Sequence, residues 1–275
     1  MNSLQSLSQI AQEIRSLALK AITNANSGHP GGSLSVADIL AVLYFDILKH
    51  NPQNPDWDER DYLIISKGHA SPAVYAVLAL AGYFSANEFV NTFRQINSKF
   101  QGHIDRLKVS GVEVSTGSLG HGLSIANGVA LGLRLKADSK NKVYALLSDG
   151  ELQEGQNWEA IMAASHYKLG NLTAIIDRNR LQLDGMTEKT MALEPLPEKF
   201  KAFGWLVKEV DGHNIEALQN VLKESSQRDN TAQPLVIIAN TIKGKGVSFM
   251  ENQVKWHGTA PKKEELEKAL LELKV

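Results

Sequence analysis

The chain is predicted to be an α/β protein, a parallel sheet flanked by helices. Three observations predict this. Short apolar runs at 143–147, 172–177 and 235–240 are nearly continuous, as in strands covered on both faces. Helix-like stretches stand between strands, so the two element types alternate. Two strands end in carboxylate and amide side chains, and open parallel sheets bind ligands beyond the carboxyl ends of their strands.

The elements follow in order. Leu4, Leu7, Ile10, Ile14, Leu17, Ala18, Ala21 and Ile22 recur at helical spacing, with Gly28 as the expected C-cap. Residues 36–48 read as a second, mostly apolar helix, and 62–65 as a short strand. Pro72 suits the first turn of the next helix. Residues 97–122 are rich in Gly, Ser, His and Thr without periodicity, and an irregular stretch of that length in a compact domain is usually functional. Strands at 143–147 and 172–177 flank a helix at 158–167. Strands at 206–210 and 235–240 flank a helix at 215–225. The charged stretch 262–273 reads as a terminal helix or linker. There is no internal repeat, and 1–275 is expected to be a single domain.

Composition removes several function classes. Hydrophobic residues make up 43% of the 275, enough for a sizeable core. The net charge is −1 with acids and bases interspersed, which offers no nucleic-acid groove and no basic membrane surface. The absence of cysteine excludes disulfides, zinc–thiolate sites and a cysteine nucleophile. No run approaches the ~20 apolar residues of a membrane span, and residues 1–10 lack a signal-peptide pattern. The expectation is a soluble, cytoplasmic protein.

Two strand ends carry oxygen ligands. Ser148-Asp149-Gly150 follows the strand at 143–147, and Asp177-Arg178-Asn179 closes the next. An Asp carboxylate, an Asn amide oxygen and a backbone carbonyl form a hard set suited to Mg²⁺, which also holds phosphates. Asp-Gly by itself is an ordinary turn former; its pairing with Asn179 on an adjacent strand makes a site. Five of eight histidines, His29, His69, His103, His121 and His257, sit beside Gly in expected loops. Together they suggest a cleft lined with imidazoles that donate hydrogen bonds and move protons. His50, His166 and His213 are read as structural.

These motifs, taken together, resemble the diphosphate-binding domain of transketolases. Ser27-Gly28-His29-Pro30-Gly31, Lys67-Gly68-His69-Ala70, Gly102-His103, Thr116-Gly117-Ser118-Leu119-Gly120, Ser148-Asp149-Gly150 with Leu152-Gln153-Glu154-Gly155, Asp177-Arg178-Asn179 and His257-Gly258-Thr259-Ala260-Pro261 occur in family order over nearly the whole chain. The resemblance implies thiamine diphosphate held through Mg²⁺, with Ca²⁺ or Mn²⁺ as substitutes. Asp149, Asn179 and the Leu181 carbonyl would ligate the metal. Gly150 and the backbone near Gly117 and Leu119 would touch the cofactor. Leu183 would lie against its thiazolium ring, and Glu154 would link cofactor sites across the family's subunit interface. His69 and His257 would bond the diphosphate region; His29, His103 and His257 would face the substrate's carbonyl and hydroxyl oxygens. Three positions depart from the family pattern: Ser148 replaces a Gly, Ile104-Asp105 replaces Pro-Glu, and His121 replaces Gln.

The resemblance also implies what this chain does not carry. In the family, a glutamate that activates the cofactor's aminopyrimidine lies in a second, pyrimidine-binding domain. That domain and the C-terminal domain are expected on a separate subunit, in an α₂β₂ heterotetramer. The implied reaction is two-carbon ketol transfer between sugar phosphates, from a ketose to an aldose. Other readings are the α-subunit of a 2-oxo acid dehydrogenase, which lacks the Ser-Gly-His-Pro-Gly and terminal His-Gly motifs, deoxyxylulose-phosphate synthase, a non-catalytic scaffold homologue, and a piece of a longer enzyme. Lys243 and Lys245 could approach an anionic group or sit in a solvated loop.

Overall fold

The computed structural model describes residues 6–136 and 139–274. Five parallel strands form one sheet: β1 (Tyr62–Ile65), β2 (Val143–Ser148), β3 (Leu172–Arg178), β4 (Leu206–Asp211) and β5 (Leu235–Asn240), in the spatial order β1-β2-β3-β5-β4. All five sequence-predicted strands are present within a residue or so of their expected bounds. β2 and β3 are buried along their whole length, whereas the edge strand β4 is only partly covered, which is why Lys208 and Glu209 are tolerated there.

Alternate strand residues feed two cores, one on each face. Leu63, Ile65, Tyr144, Leu146, Ile175 and Ile237 pack under helices α1 (Leu7–Ala25), α3 (Ala37–Val42), α4 (Ser71–Leu80), α5 (Ala86–Thr92) and α10 (Ile215–Ser226). Ile64, Val143, Ala145, Leu147, Ala174 and Ile176 pack under α6 (Gly122–Leu135), α7 (Gly155–His166) and α9 (Leu196–Ala202). A third, smaller cluster joins Leu19 and Leu34 to Val247, Met250, Trp256, Ala269 and Leu273. It pins the segment after β5, and the terminal helix α11 (Lys263–Leu273), against α1 and α2 (Pro30–Ser35). The stretch read as helix or linker is therefore a docked helix. Among the described residues no helix is long and apolar enough to cross a membrane.

Two helix expectations need correction. α1 is stopped by Asn26, not Gly28: Asn26 takes a left-handed φ of 48° and its N–H bonds the Ile22 and Thr23 carbonyls. Asn tolerates that conformation almost as Gly does. Gly28 serves a different need, since a Cβ there would fall 2.7 Å from Ile22 Cγ1. The helix expected at 36–48 instead starts at Pro30, breaks at Val36, resumes as α3 and ends in a π turn, Leu43–Ile47. Pro30 explains the early start, because its fixed φ suits the first helical position. Pro72 lies in the first turn of α4, as expected. Leu4 lies outside the described residues. α5, α6, α8 (Thr187–Thr190) and α9 have no counterpart in the sequence reading.

Candidate active site

The loops at the carboxyl ends of β1, β2, β3 and β5 enclose a cavity of about 320 Å³. β2 and β3 pair in parallel with Ser148 opposite Asp177, so Asp149 and Asn179 emerge side by side. Asp149 is fully buried. Its Oδ1 accepts from Gly150 N at 2.7 Å and its Oδ2 from Arg178 Nη1 at 3.1 Å and from Arg180 N. Burial first, then the Asp177 carboxylate, raises its proton affinity. Asn179 donates from Nδ2 to Asp177 Oδ2 at 3.1 Å, which turns its Oδ1 the other way, where Leu181 N donates to it at 3.1 Å. The Leu181 carbonyl accepts from Lys243 Nζ at 3.1 Å.

Four imidazoles stand at the same cavity, one of them bridged to the Leu181 carbonyl by the Lys243 ammonium. The His29 ring centroid lies 5.4 Å from His69, 6.3 Å from His103 and 5.7 Å from His257, and His69 lies 5.6 Å from His257. All four line the cavity together with Gly117, Leu119, Gly150, Glu154, Asn179, Leu181 and Leu183. The sequence-predicted site thus converges on one cavity, and Asp149 sits just behind its wall. His121 does not line it; it is exposed at the start of α6. Burial lowers the proton affinity of all four histidines, helped by nearby cations: His29 to about 4, with Arg94 the next cause, and His257 to about 3, with Lys243 the next. The four imidazoles are therefore uncharged near neutral pH. His50 bonds Tyr83 and the Tyr44 carbonyl, and His213 bonds Asp38 and Ile242 N, so both are structural as read.

Several roles escape the sequence reading. Asp177 is wholly buried and accepts from Lys67 Nζ at 2.5 Å, Ser35 Oγ at 2.7 Å, Thr241 Oγ1 and Asn179 Nδ2. It gathers the end of α2 and the segments that follow β1, β3 and β5 at one point. Glu151, also buried, accepts from Ser66 Oγ, from Gly120 N at 2.9 Å and from Ser148 N at 3.2 Å, tying the Gly117–Gly120 loop to the ends of β1 and β2. Of the two lysines for which the sequence left an anion contact and a solvated loop open, Lys243 is buried and contacts His257 Nδ1 at 2.9 Å, whereas half-buried Lys245 pairs loosely with Glu251. Only a composition signal points here: Lys, Ser and Asp at strand ends, types rarely buried without a partner.

The residues fit an anionic, metal-linked cofactor. Asp149, Asn179 and the Leu181 carbonyl supply hard oxygens. Gly32 faces the cavity where a Cβ would lie 3.4 Å from Lys67 Nζ and 3.6 Å from His69 Nε2, so backbone, ammonium and imidazole converge on a space suited to a phosphate. Among the described residues no three His, Asp or Glu side chains form a metal cluster of their own.

Comparison with known proteins agrees with this geometry. Residues 6–273 match the transketolase family's thiamine diphosphate binding domain. The chain belongs to the transketolase family. It is 42% identical over 263 residues to a 6-deoxy-6-sulfo-D-fructose transketolase subunit of Clostridium sp. (strain MSTE9), covering 96% of this chain and 94% of that subunit. It is 45% identical over 256 residues to an apulose-4-phosphate transketolase subunit of Actinobacillus succinogenes, covering 92% and 91%. The transketolase of Campylobacter jejuni superposes with a TM-score of 0.91 at 36% identity, over 99% of this chain but 43% of that one. The match is therefore that of an N-terminal transketolase subunit, with the same flanked parallel sheet.

Proposed function

We propose that this chain is the diphosphate- and metal-binding half of a two-subunit transketolase that moves a two-carbon ketol unit from a ketose to an aldose. One observation carries the reading: a metal-suited oxygen set and four uncharged imidazoles gather at one cavity. Asp149, Asn179 and the Leu181 carbonyl would hold Mg²⁺. Gly150, His69, His257 and the backbone at Gly117 and Leu119 would hold the diphosphate, with Leu183 against the thiazolium ring. Bound thiamine diphosphate supplies the electron sink for breaking a carbon–carbon bond beside a carbonyl. The chain's own part is to orient substrate and move protons. His29, His103 and His257 donate to carbonyl and hydroxyl oxygens as charge develops on them, and His69 steadies the diphosphate side. Glu154, exposed at the start of α7, would meet a neighbouring subunit. All of 1–275 acts as one domain in this reading, and the pyrimidine-binding domain with its activating glutamate resides on the partner, in an α₂β₂ assembly. The two relatives named for sulfofructose and apulose phosphate support a sugar with an anionic tail, handled in the cytoplasm where sugar phosphates are held.

Calorimetric titration with thiamine diphosphate and Mg²⁺, on this chain alone and then with its C-terminal partner, tests the reading. Weak binding alone, tight binding together and ketol transfer only in the mixture are expected. Failure to bind even with the partner would favour the scaffold reading. Ketol transfer by this chain alone would refute the division of the site between two polypeptides.

A further inference from the structure

Arg94 lies just past α5, in a stretch with no recognisable motif, yet its setting is unusual. It takes a left-handed φ of 56°, a conformation that costs energy for any residue with a side chain. Its backbone N–H is pinned to the Phe100 carbonyl at 2.8 Å. Its guanidinium lies so close to Gly102 that a Cβ there would fall 2.8 Å from Cζ, Nε and Nη2. The side chain donates to Ser27 Oγ at 2.7 Å, to the Gly102 carbonyl at 3.5 Å and to His29 Nδ1 at 3.3 Å. No acidic group among the described residues bonds to it, and its Nε is buried without a partner. A half-buried guanidinium is normally neutralised by a carboxylate; this one is spent on an imidazole.

Arginine has donors only. Its bond to Nδ1 therefore requires a lone pair there, which leaves the ring's proton on Nε2. The Cδ2–Nε2 edge of His29 lies on the other side, where a methyl at Gly258 would approach within 3.8 and 4.0 Å. We propose that Arg94 is a positioning residue that holds His29 as the uncharged, Nε2-protonated imidazole, so that the cavity receives a hydrogen-bond donor for the substrate's carbonyl or hydroxyl oxygen. The substrate part rests on the proposed ketol transfer; the imidazole state does not. The groups facing His29 from the surrounding elements are Arg94, His103, Lys67, His69, Lys243 and His257, and the cations among them act in the same sense as Arg94.

The test is long-range ¹H–¹⁵N correlation of the ¹⁵N-histidine-labelled chain without cofactor, with the His29 ring identified by its loss in His29→Asn. The native chain should show His29 protonated at Nε2. In Arg94→Met that preference should be lost, and the pH at which His29 titrates should rise by roughly one unit, since a nearby like charge has been removed. An Nδ1-protonated His29 in the native chain overturns the proposal without any variant. So does an Arg94→Met spectrum and titration that match the native ones. Neither measurement uses activity: a chain that fails at ketol transfer but passes here removes the proposed function alone, and the reverse removes only the role of Arg94.

Discussion

At the scale of single residues, the oxygen cluster and the imidazoles should fail differently. Asp149→Ala removes a metal-suited carboxylate. In the paired enzyme it should weaken metal-dependent cofactor binding by more than the ~10–100-fold typical of an outer-sphere partner; calorimetry showing native affinity would rule out the ligand role. His103→Ala should leave that affinity intact and slow ketol transfer by roughly a hundredfold, the low end for lost acid–base help. Unchanged turnover would remove His103 from the chemistry. The histidines also set a pH dependence. His29 and His257 are lowered from 6.5 to about 4 and about 3, chiefly by burial. The unfolded chain therefore binds more protons than the folded one below about pH 6.5, and stability falls as pH drops through that window. Urea midpoints of the cofactor-free chain should decline from pH 7 to pH 5, less steeply in His29→Asn with His257→Asn; equal slopes would contradict the burial argument. The site's imidazoles and strand-end oxygens are legible in the sequence because glycine and position mark them. Arg94, Glu151 and the hub role of Asp177 are not, because their importance lies in contacts between segments distant in sequence.

At the scale of elements, a chain of polar contacts, built on a buried ion pair, joins helices to the site. Arg15 on α1 bonds Asp38 on α3, Asp38 bonds His213 beyond β4, and His213 Nε2 accepts from Ile242 N at 2.8 Å just before Lys243. Asp38→Ala would leave the Arg15 guanidinium buried and unpaired, and should cost about 3–5 kcal/mol in urea unfolding. A loss below about 1 kcal/mol would mean that the pair contributes little. Elements with continuous apolar runs or strong periodicity, the five strands and α1 among them, can be read from sequence. α6 cannot: Gly128 and Gly132 interrupt it, and Gly argues against helix when only local preference is weighed. Packing of Leu123, Ala126 and Ala130 on the sheet overrides that preference. The segment at 36–48 misleads for the opposite reason, since apolar content alone cannot show where a helix changes pitch.

At the scale of the whole molecule, the partner should govern how strongly cofactor stabilises the fold. A ligand at a hundred times its dissociation constant adds about 2.7 kcal/mol. Thermal unfolding with thiamine diphosphate and Mg²⁺ should show a shift of that order for the two-subunit enzyme and little for this chain alone. An equal shift in both would mean that the partner adds nothing to the site. The strand order β1-β2-β3-β5-β4 has a consequence in time. A ribosome makes β4 before β5, yet β4 pairs with β5 and with no other strand of this sheet. During synthesis β4 must wait without its neighbour while the edge of β3 stays open, and both are satisfied at once when β5 arrives between them. Parallel pairing of this kind is slow and exposes unpaired edges meanwhile. The nascent chain is therefore most vulnerable to aggregation in the interval between emergence of β4 and insertion of β5.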